Sequence, residues 1–222
     1  MGSQTRKEFD PAPSVKKTQL PANDPLMWVA RAATKANSIW VKWTYPFEGC
    51  GTGVSIHYSC DIQRNYAHRI RIGDSVLIDR DVWVNVPLVS DRPEPSLIIG
   101  SGSNIGRRSV ISAINHICIG ENVLFAPAVF VTDHNHQYLD PNVPVMAQGV
   151  TAGGTVIIEE NSWLGYGCMV LAGGGEVVLG RNSVVGAYSV VTKTCPPFSV
   201  LAGNPARVVK RFDPESGMWV KC

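Results

Sequence analysis

The sequence predicts an all-β solenoid, on three observations. An aliphatic residue, usually followed by Gly or another small residue, returns every six positions; the returns come in sets of three; and the side chain four positions after each is again small or aliphatic. The sets are Ile72, Ile78, Val84; Ile99, Ile105, Ile111; Ile119, Phe125, Val131; Ile158, Leu164, Val170; and Leu179, Val185, Val191. The second register is Val76, Val82, Ser103, Ser109, Val123, Val129, Ser162, Cys168, Ser183 and Ser189. A helix repeats its apolar residues every 3.6 positions and a half-buried strand every second one, so neither explains this rhythm. A short repeat stacking on itself does, with each hexamer forming one flat face of a triangular coil.

Taken in order, residues 1–48 form an N-terminal arm and short helix, 49–195 the coil with a long loop at 132–157, and 196–222 a C-terminal capping segment. The first 23 residues are polar and aperiodic, which predicts an extended arm. Asn23-Asp24-Pro25 supplies a capping residue and a Pro suited to the first helical turn. A short helix is predicted from Leu26 to about Ser38, with Trp28, Val29, Ala32 and Ala33 on one side, packed on or near the first coil. There it covers backbone groups that an open solenoid end would expose. From Gly49 to Ile70 the rhythm is ragged, as at Ile56 and Ile62, and predicts an incomplete first coil. Pro196-Pro197 removes two backbone donors and ends the last one.

The chain has 222 residues, a formal charge of +2 and six cysteines without a CxxC pair. One domain with a continuous core fits that length. The charge is too mild for a nucleic-acid surface, and the cysteines point to a reducing compartment and a packing role. No apolar run approaches a membrane span, and the N-terminus lacks the apolar core of a signal peptide, so the expected location is the cytoplasm.

The interruptions point to function. The step from Val84 to Ile99 carries Asp91, Pro93, Glu94 and Pro95 in an excursion, and the step from Val131 to Ile158 spans 27 residues. A loop that long in a regular solenoid is costly to order and is usually functional. It begins with Asp133-His134-Asn135-His136.

These sets, that loop, Asn161-Ser162-Trp163-Leu164-Gly165 and the run from Val184 to Arg211 resemble the hexapeptide-repeat acyltransferases, in particular the maltose and galactoside O-acetyltransferases and polysaccharide-biosynthesis acetyltransferases. The resemblance covers roughly Ile72 to Lys210, and its most specific piece is the closing stretch from Val190 to Arg207. It implies a left-handed parallel β-helix, a homotrimer with active sites between subunits, and acetyl-CoA as donor. It also implies a base just where the long loop leaves the coil. His134 falls there, and His136, two residues on, is the second candidate. A loop histidine usually does no more than hydrogen-bond and titrate in solvent; its position is what singles this one out. A histidine near neutrality suits the task of taking a hydroxyl proton.

Asp133 and Asp140 are candidates to orient an imidazole or to grip sugar hydroxyls, with ordinary turn chemistry as the alternative. Asn85 and Asn115 lie at or just past the ends of third hexamers and are candidates for the acceptor, and His116 for lining the cleft. The family's acceptor-binding Asn corresponds to Gly106 here. Matched donor-site positions are Trp163, Gly165, Tyr166, Ala187, Thr192 and Lys193, with Arg207 and Lys210 for the CoA phosphates. The resulting expectation is an O-acetyltransferase acting on a sugar or glycan precursor by direct transfer, without a metal. A zinc hydratase of the γ-carbonic anhydrase kind is an alternative for His116, His134 and His136, but the H-x4-H pair of that family is missing. A non-catalytic scaffold is the other alternative.

Overall fold

The computed structural model describes residues 25–87 and 95–222, so the arm and Asp91, Pro93 and Glu94 lie outside the described residues. The chain winds through three parallel sheets in turn, and each short strand pairs with the strand three later in sequence. The first sheet holds Gly49–Cys50, Ile70–Ile72, Leu97–Ile99, His116–Ile119, Thr155–Ile158 and Glu176–Leu179. The second runs from Ser55–Ile56 through Leu77–Ile78, Asn104–Ile105, Leu124–Phe125 and Trp163–Leu164 to Val184–Val185. The third holds Asp61–Ile62, Trp83–Asn85, Val110–Ser112, Phe130–Thr132, Met169–Leu171 and Val190–Val191.

The six-residue rhythm becomes vertical columns of side chains. On the first sheet Ile72, Ile99, Ile119, Ile158 and Leu179 pair in register, and on the third Ile62, Val84, Ile111, Val131, Val170 and Val191 do so. The three columns meet in one buried core that includes Phe125. Burying each Val or Ile contributes about 1.5–3 kcal/mol. The second register is buried as well, at the corners. There a serine ties one coil to the next: Ser103 Oγ donates to the Gly120 carbonyl (2.8 Å) and accepts from the Val123 amide (3.0 Å). Glycine follows the aliphatic residue because the coils stack too closely for a side chain; a Cβ on Gly100 would lie 2.4 Å from the Gly120 carbonyl carbon.

Three sequence expectations change. The first coil is complete, with strands on all three faces; the rhythm reads as ragged because the 3₁₀ turn Arg64–Arg69 is inserted before the next coil. The closing segment extends the second sheet: Ser199–Gly203 continues it in parallel, and Ala206–Asp213 and Met218–Lys221 add antiparallel. The N-terminal helix, α1, runs from Pro25 to Thr44 instead of ending near Ser38. It does pack on the first coil, where Ser38 Oγ accepts from the Ile56 amide (2.9 Å) and Asn37 Nδ2 donates to the Ile56 carbonyl (3.1 Å). These anchors and buried Val41 carry it beyond Ser38. The packed side is not the apolar one, for Trp28 and Val29 are exposed.

Candidate functional site

The third-sheet strand of the fourth coil, Phe130–Thr132, delivers Asp133 and His134 to the corner between the third and first sheets. Asp133 is completely buried. Its Oδ1 accepts from the Ile114 amide (3.0 Å) and from His134 Nδ1 (2.8 Å). Its Oδ2 accepts from the amides of Asn115 (2.8 Å) and His116 (2.9 Å). Two carboxylate oxygens offer about four lone-pair positions, and all are in use. Asp133 therefore has no oxygen left to grip an acceptor; it holds the corner of the preceding coil and the ring of His134.

His134 is only 12% exposed at its side chain. Its Nδ1 faces a carboxylate, which places the proton on that nitrogen and leaves Nε2 as the basic one. Among the described residues Nε2 has no hydrogen-bond partner. Thr132 Oγ1 adds contacts to His134 Nδ1 (3.3 Å) and receives its amide (3.4 Å). Sequence reasoning missed Thr132; its only signal is its place directly before the Asp-His pair. His136 is exposed on the outgoing arm of the loop, bridged to Val150, and its ring has no carboxylate partner among the described residues.

The loop leaves and returns through a closed root. Gly154 N donates to the Asp133 carbonyl (2.6 Å), and Asn115 Nδ2 donates to the Gly154 carbonyl (2.7 Å). Beyond the root the two arms pair through Thr151 N to the Asn135 carbonyl (2.8 Å) and Gln137 N to the Gly149 carbonyl (3.0 Å). The tip carries the short helix Val145–Gln148 and places Tyr138, Leu139 and Met146 in solvent. Asp140 lies at this tip and accepts from the Asn142 amide (2.9 Å), which is turn chemistry. Asn85 is two coils away from His134, with its Nδ2 donating to Ser112 Oγ (2.9 Å). Gly106 has no room for the family's Asn, since a Cβ there would lie 2.5 Å from the Phe125 carbonyl oxygen.

The other matched positions divide between two edges. Thr192 and Lys193 follow the last third-sheet strand, on the same edge as His134. Lys193 and Arg207 line one pocket of about 300 Å³ with Cys195, Leu201 and Val208. Lys210 is exposed on the antiparallel extension, paired with Val200 and Lys221. Gly165, Tyr166 and Ala187 sit on the edge between the second and third sheets, with Trp163 in the second-sheet strand just before it. There Tyr166 and Tyr188 meet edge to face, with ring centroids 5.4 Å apart and both residues exposed. One chain thus does not gather all the candidate residues into one cleft. The sheet faces are largely apolar on the outside: Trp83, Val110, Phe130, Met169 and Val190 follow Asp61 in the outer column of the third sheet, and Leu77, Leu124 and Trp163 stand with Asn104 on that of the second. Among the described residues no group of three or more His, Cys, Asp or Glu is placed to hold a metal ion.

No family model matches the chain. It is 36% identical over 118 residues to WbbJ of Escherichia coli strain K12, provisionally named a lipopolysaccharide biosynthesis O-acetyl transferase, covering 50% of this chain and 58% of the relative. It is 36% identical over 131 residues to the galactoside O-acetyltransferase of the same organism, covering 54% of this chain and 60% of the relative. The chain thus spans a little over half the length of these relatives. Its fold resembles that of AntD, an N-acyltransferase from Bacillus cereus solved with dTDP and 3-hydroxybutyryl-CoA, with a TM-score of 0.63, 20% identity, and 83% of this chain and 92% of that one covered. The resemblance to hexapeptide-repeat acyltransferases holds in sequence, through relatives named as O-acetyltransferases, and separately in fold.

Proposed function

We propose that the protein is an acetyl-CoA-dependent O-acetyltransferase acting on a hydroxyl of a sugar or glycan precursor, with His134 as the base. The observation that carries this reading is the pairing of His134 Nδ1 with the buried carboxylate of Asp133 at the mouth of the long loop, which leaves Nε2 free to take a proton. The acceptor hydroxyl gives its proton to Nε2 as its oxygen attacks the thioester carbonyl. The carbon–sulfur bond breaks, and the departing CoA thiolate takes the proton back from the imidazolium. Asp133 acts as a positioning residue that fixes the ring and stabilises its charged form. Relatives named for galactoside and lipopolysaccharide acetylation support a saccharide acceptor. The acyl-CoA in the AntD structure supports a CoA-borne donor. Direct transfer is favoured over an acetyl-cysteine route, because burial pushes the Cys168 thiol up to about 12 and raises that of Cys195.

The full site forms in this reading between subunits of a homotrimer with left-handed coils. The edge that carries His134, Thr192 and Lys193 faces the Tyr166 and Ala187 edge of a neighbour, and the apolar outer columns supply the contact. Arg207 and Lys210 take the CoA phosphates, and the oxyanion rests on a backbone amide. Asn85 and Asn115 remain the proposed acceptor contacts. The cytoplasm is the proposed location, and among the described residues no helix is long and apolar enough to cross a membrane.

The test offers purified protein acetyl-CoA and a panel of saccharide acceptors and reads release of CoA thiol. Acceptor-dependent release that His134→Ala abolishes supports the reading; no release with any acceptor, or full activity in that variant, overturns it. Mixing inactive His134→Ala subunits with inactive Ala187→Trp subunits tests the shared site. Recovered turnover supports a cleft between subunits, and none, once subunit exchange is verified, means that a single subunit supplies both residues and overturns the shared cleft.

A further inference from the structure

The outer face of α1 is apolar from end to end. Val29, Ala33, Ala36, Trp40 and Trp43 recur at intervals of four and three, and Ile39 lies beside them, all of them exposed. Trp40 is 65% and Trp43 85% exposed. The packed face is made instead by Thr34, Asn37, Ser38 and Val41. Such a face needs a cover, and the charges beside it say which kind.

The helix contains Arg31, Lys35 and Lys42 and no Asp or Glu. All three cations lie along one flank and line a groove of about 580 Å³ between α1 and the first two coils, together with His57 and Arg80. Among the described residues no carboxylate lines that groove. Among the described residues Arg31 and Lys35 have no partner, Lys42 donates to the Gly51 carbonyl (2.7 Å), and Arg80 holds only a loose pair with Asp79 (3.9 Å). Two copies of α1 packed face to face would bring both cation rows to the seam with no acid on either helix to pair with them. A surface of phosphates over an apolar layer fits both features at once. Tryptophan favours the boundary between headgroups and acyl chains, and Lys and Arg beside an apolar face favour anionic lipid.

We infer that α1 is an interfacial anchor that lays Val29, Ile39, Trp40 and Trp43 on an anionic phospholipid bilayer and takes lipid phosphates on Arg31, Lys35 and Arg80. The helix lies in the membrane surface without crossing it. This holds independently of the proposed acyl transfer, since no residue of the His134 corner takes part.

The experiment incubates the full chain at low salt with vesicles of phosphatidylcholine alone or with phosphatidylglycerol added, and measures sedimented protein and tryptophan emission. Binding to the anionic vesicles should be at least tenfold tighter than to the neutral ones, should blue-shift the emission, and should weaken with salt, each surface cation changing partition by about fivefold. Trp43→Ala alone and Trp40→Ala with Trp43→Ala should weaken binding by tenfold or more. Arg31→Glu with Lys35→Glu should erase the preference for anionic lipid. These side chains are exposed, so circular dichroism and melting should stay as in the parent chain. No binding to anionic vesicles, or equal binding by the tryptophan variants, overturns the inference. So does a solution assembly of the parent chain that the tryptophan variants dissolve, because a second copy would then be the cover.

Discussion

At the edge between the third and first sheets, a buried carboxylate accepts four hydrogen bonds and fixes the ring of His134 within one chain. At the edge between the second and third sheets, Tyr166 and Tyr188 meet edge to face and both are exposed. The first edge is preorganised, with its geometry set before any ligand arrives. The second has no such tether. In the proposed reaction a base needs a fixed direction, whereas a wall for a thin, flexible ligand needs only shape and a partner surface.

That contrast can be broken at several points. His134→Ala should lower turnover by about 10²- to 10⁴-fold, the range of a general base, with CoA binding and melting unchanged. Near-parent turnover in a steady-state assay would transfer the role to His136. Asp133→Ala should do two things at once, because the backbone amides of Ile114, Asn115 and His116 lose their acceptor and the ring loses its tether. A buried donor left unsatisfied costs about 1–3 kcal/mol, so the urea midpoint should drop clearly along with kcat. A drop in kcat with no loss of stability would show that the corner relaxes freely.

On the opposite edge, Tyr188→Ala should leave stability within about 0.5 kcal/mol, as for most exposed positions. It should raise KM for acetyl-CoA several-fold at constant kcat. A lost kcat would mean that this ring belongs to the preorganised part of the site. The smallest effect concerns acid stability near the first coil. Paired with Arg71, Glu48 has its carboxyl held below the ordinary carboxylate range. The pair's contribution is present above the unfolded-state pKa and is lost as pH falls through the lowered folded-state value. Glu48→Gln should therefore lower stability slightly near neutrality, leave it unchanged well below the folded-state pKa, and so slightly flatten the acid limb of a pH–stability curve.

The candidate site was legible to different depths at the two edges. His134 stood out as a candidate because the rhythm stops after Val131, and a stop in so regular a pattern is conspicuous. That Asp133 could orient an imidazole was legible in the sequence; that it also holds the preceding coil, with no oxygen left for an acceptor, was not, because its partners at Ile114, Asn115 and His116 lie a whole coil earlier in the chain. The exposed outer columns were equally hidden, since an apolar residue in a strand reads the same whether it faces the core or a neighbour.

The sequence by itself determined the coil: a six-residue return of aliphatic side chains can be buried only by stacking faces, and the glycines and buried serines fit only where coils touch. Tertiary structure decided which way α1 turned. Its apolar stripe satisfies any amphipathic pattern, yet Ser38 and Asn37 bond to Ile56 and roll the tryptophans outward. Periodicity measures how apolar a face is. Which face is buried depends on what the neighbouring part of the fold offers to bond with, and here the first coil offered a backbone amide and carbonyl to two polar side chains.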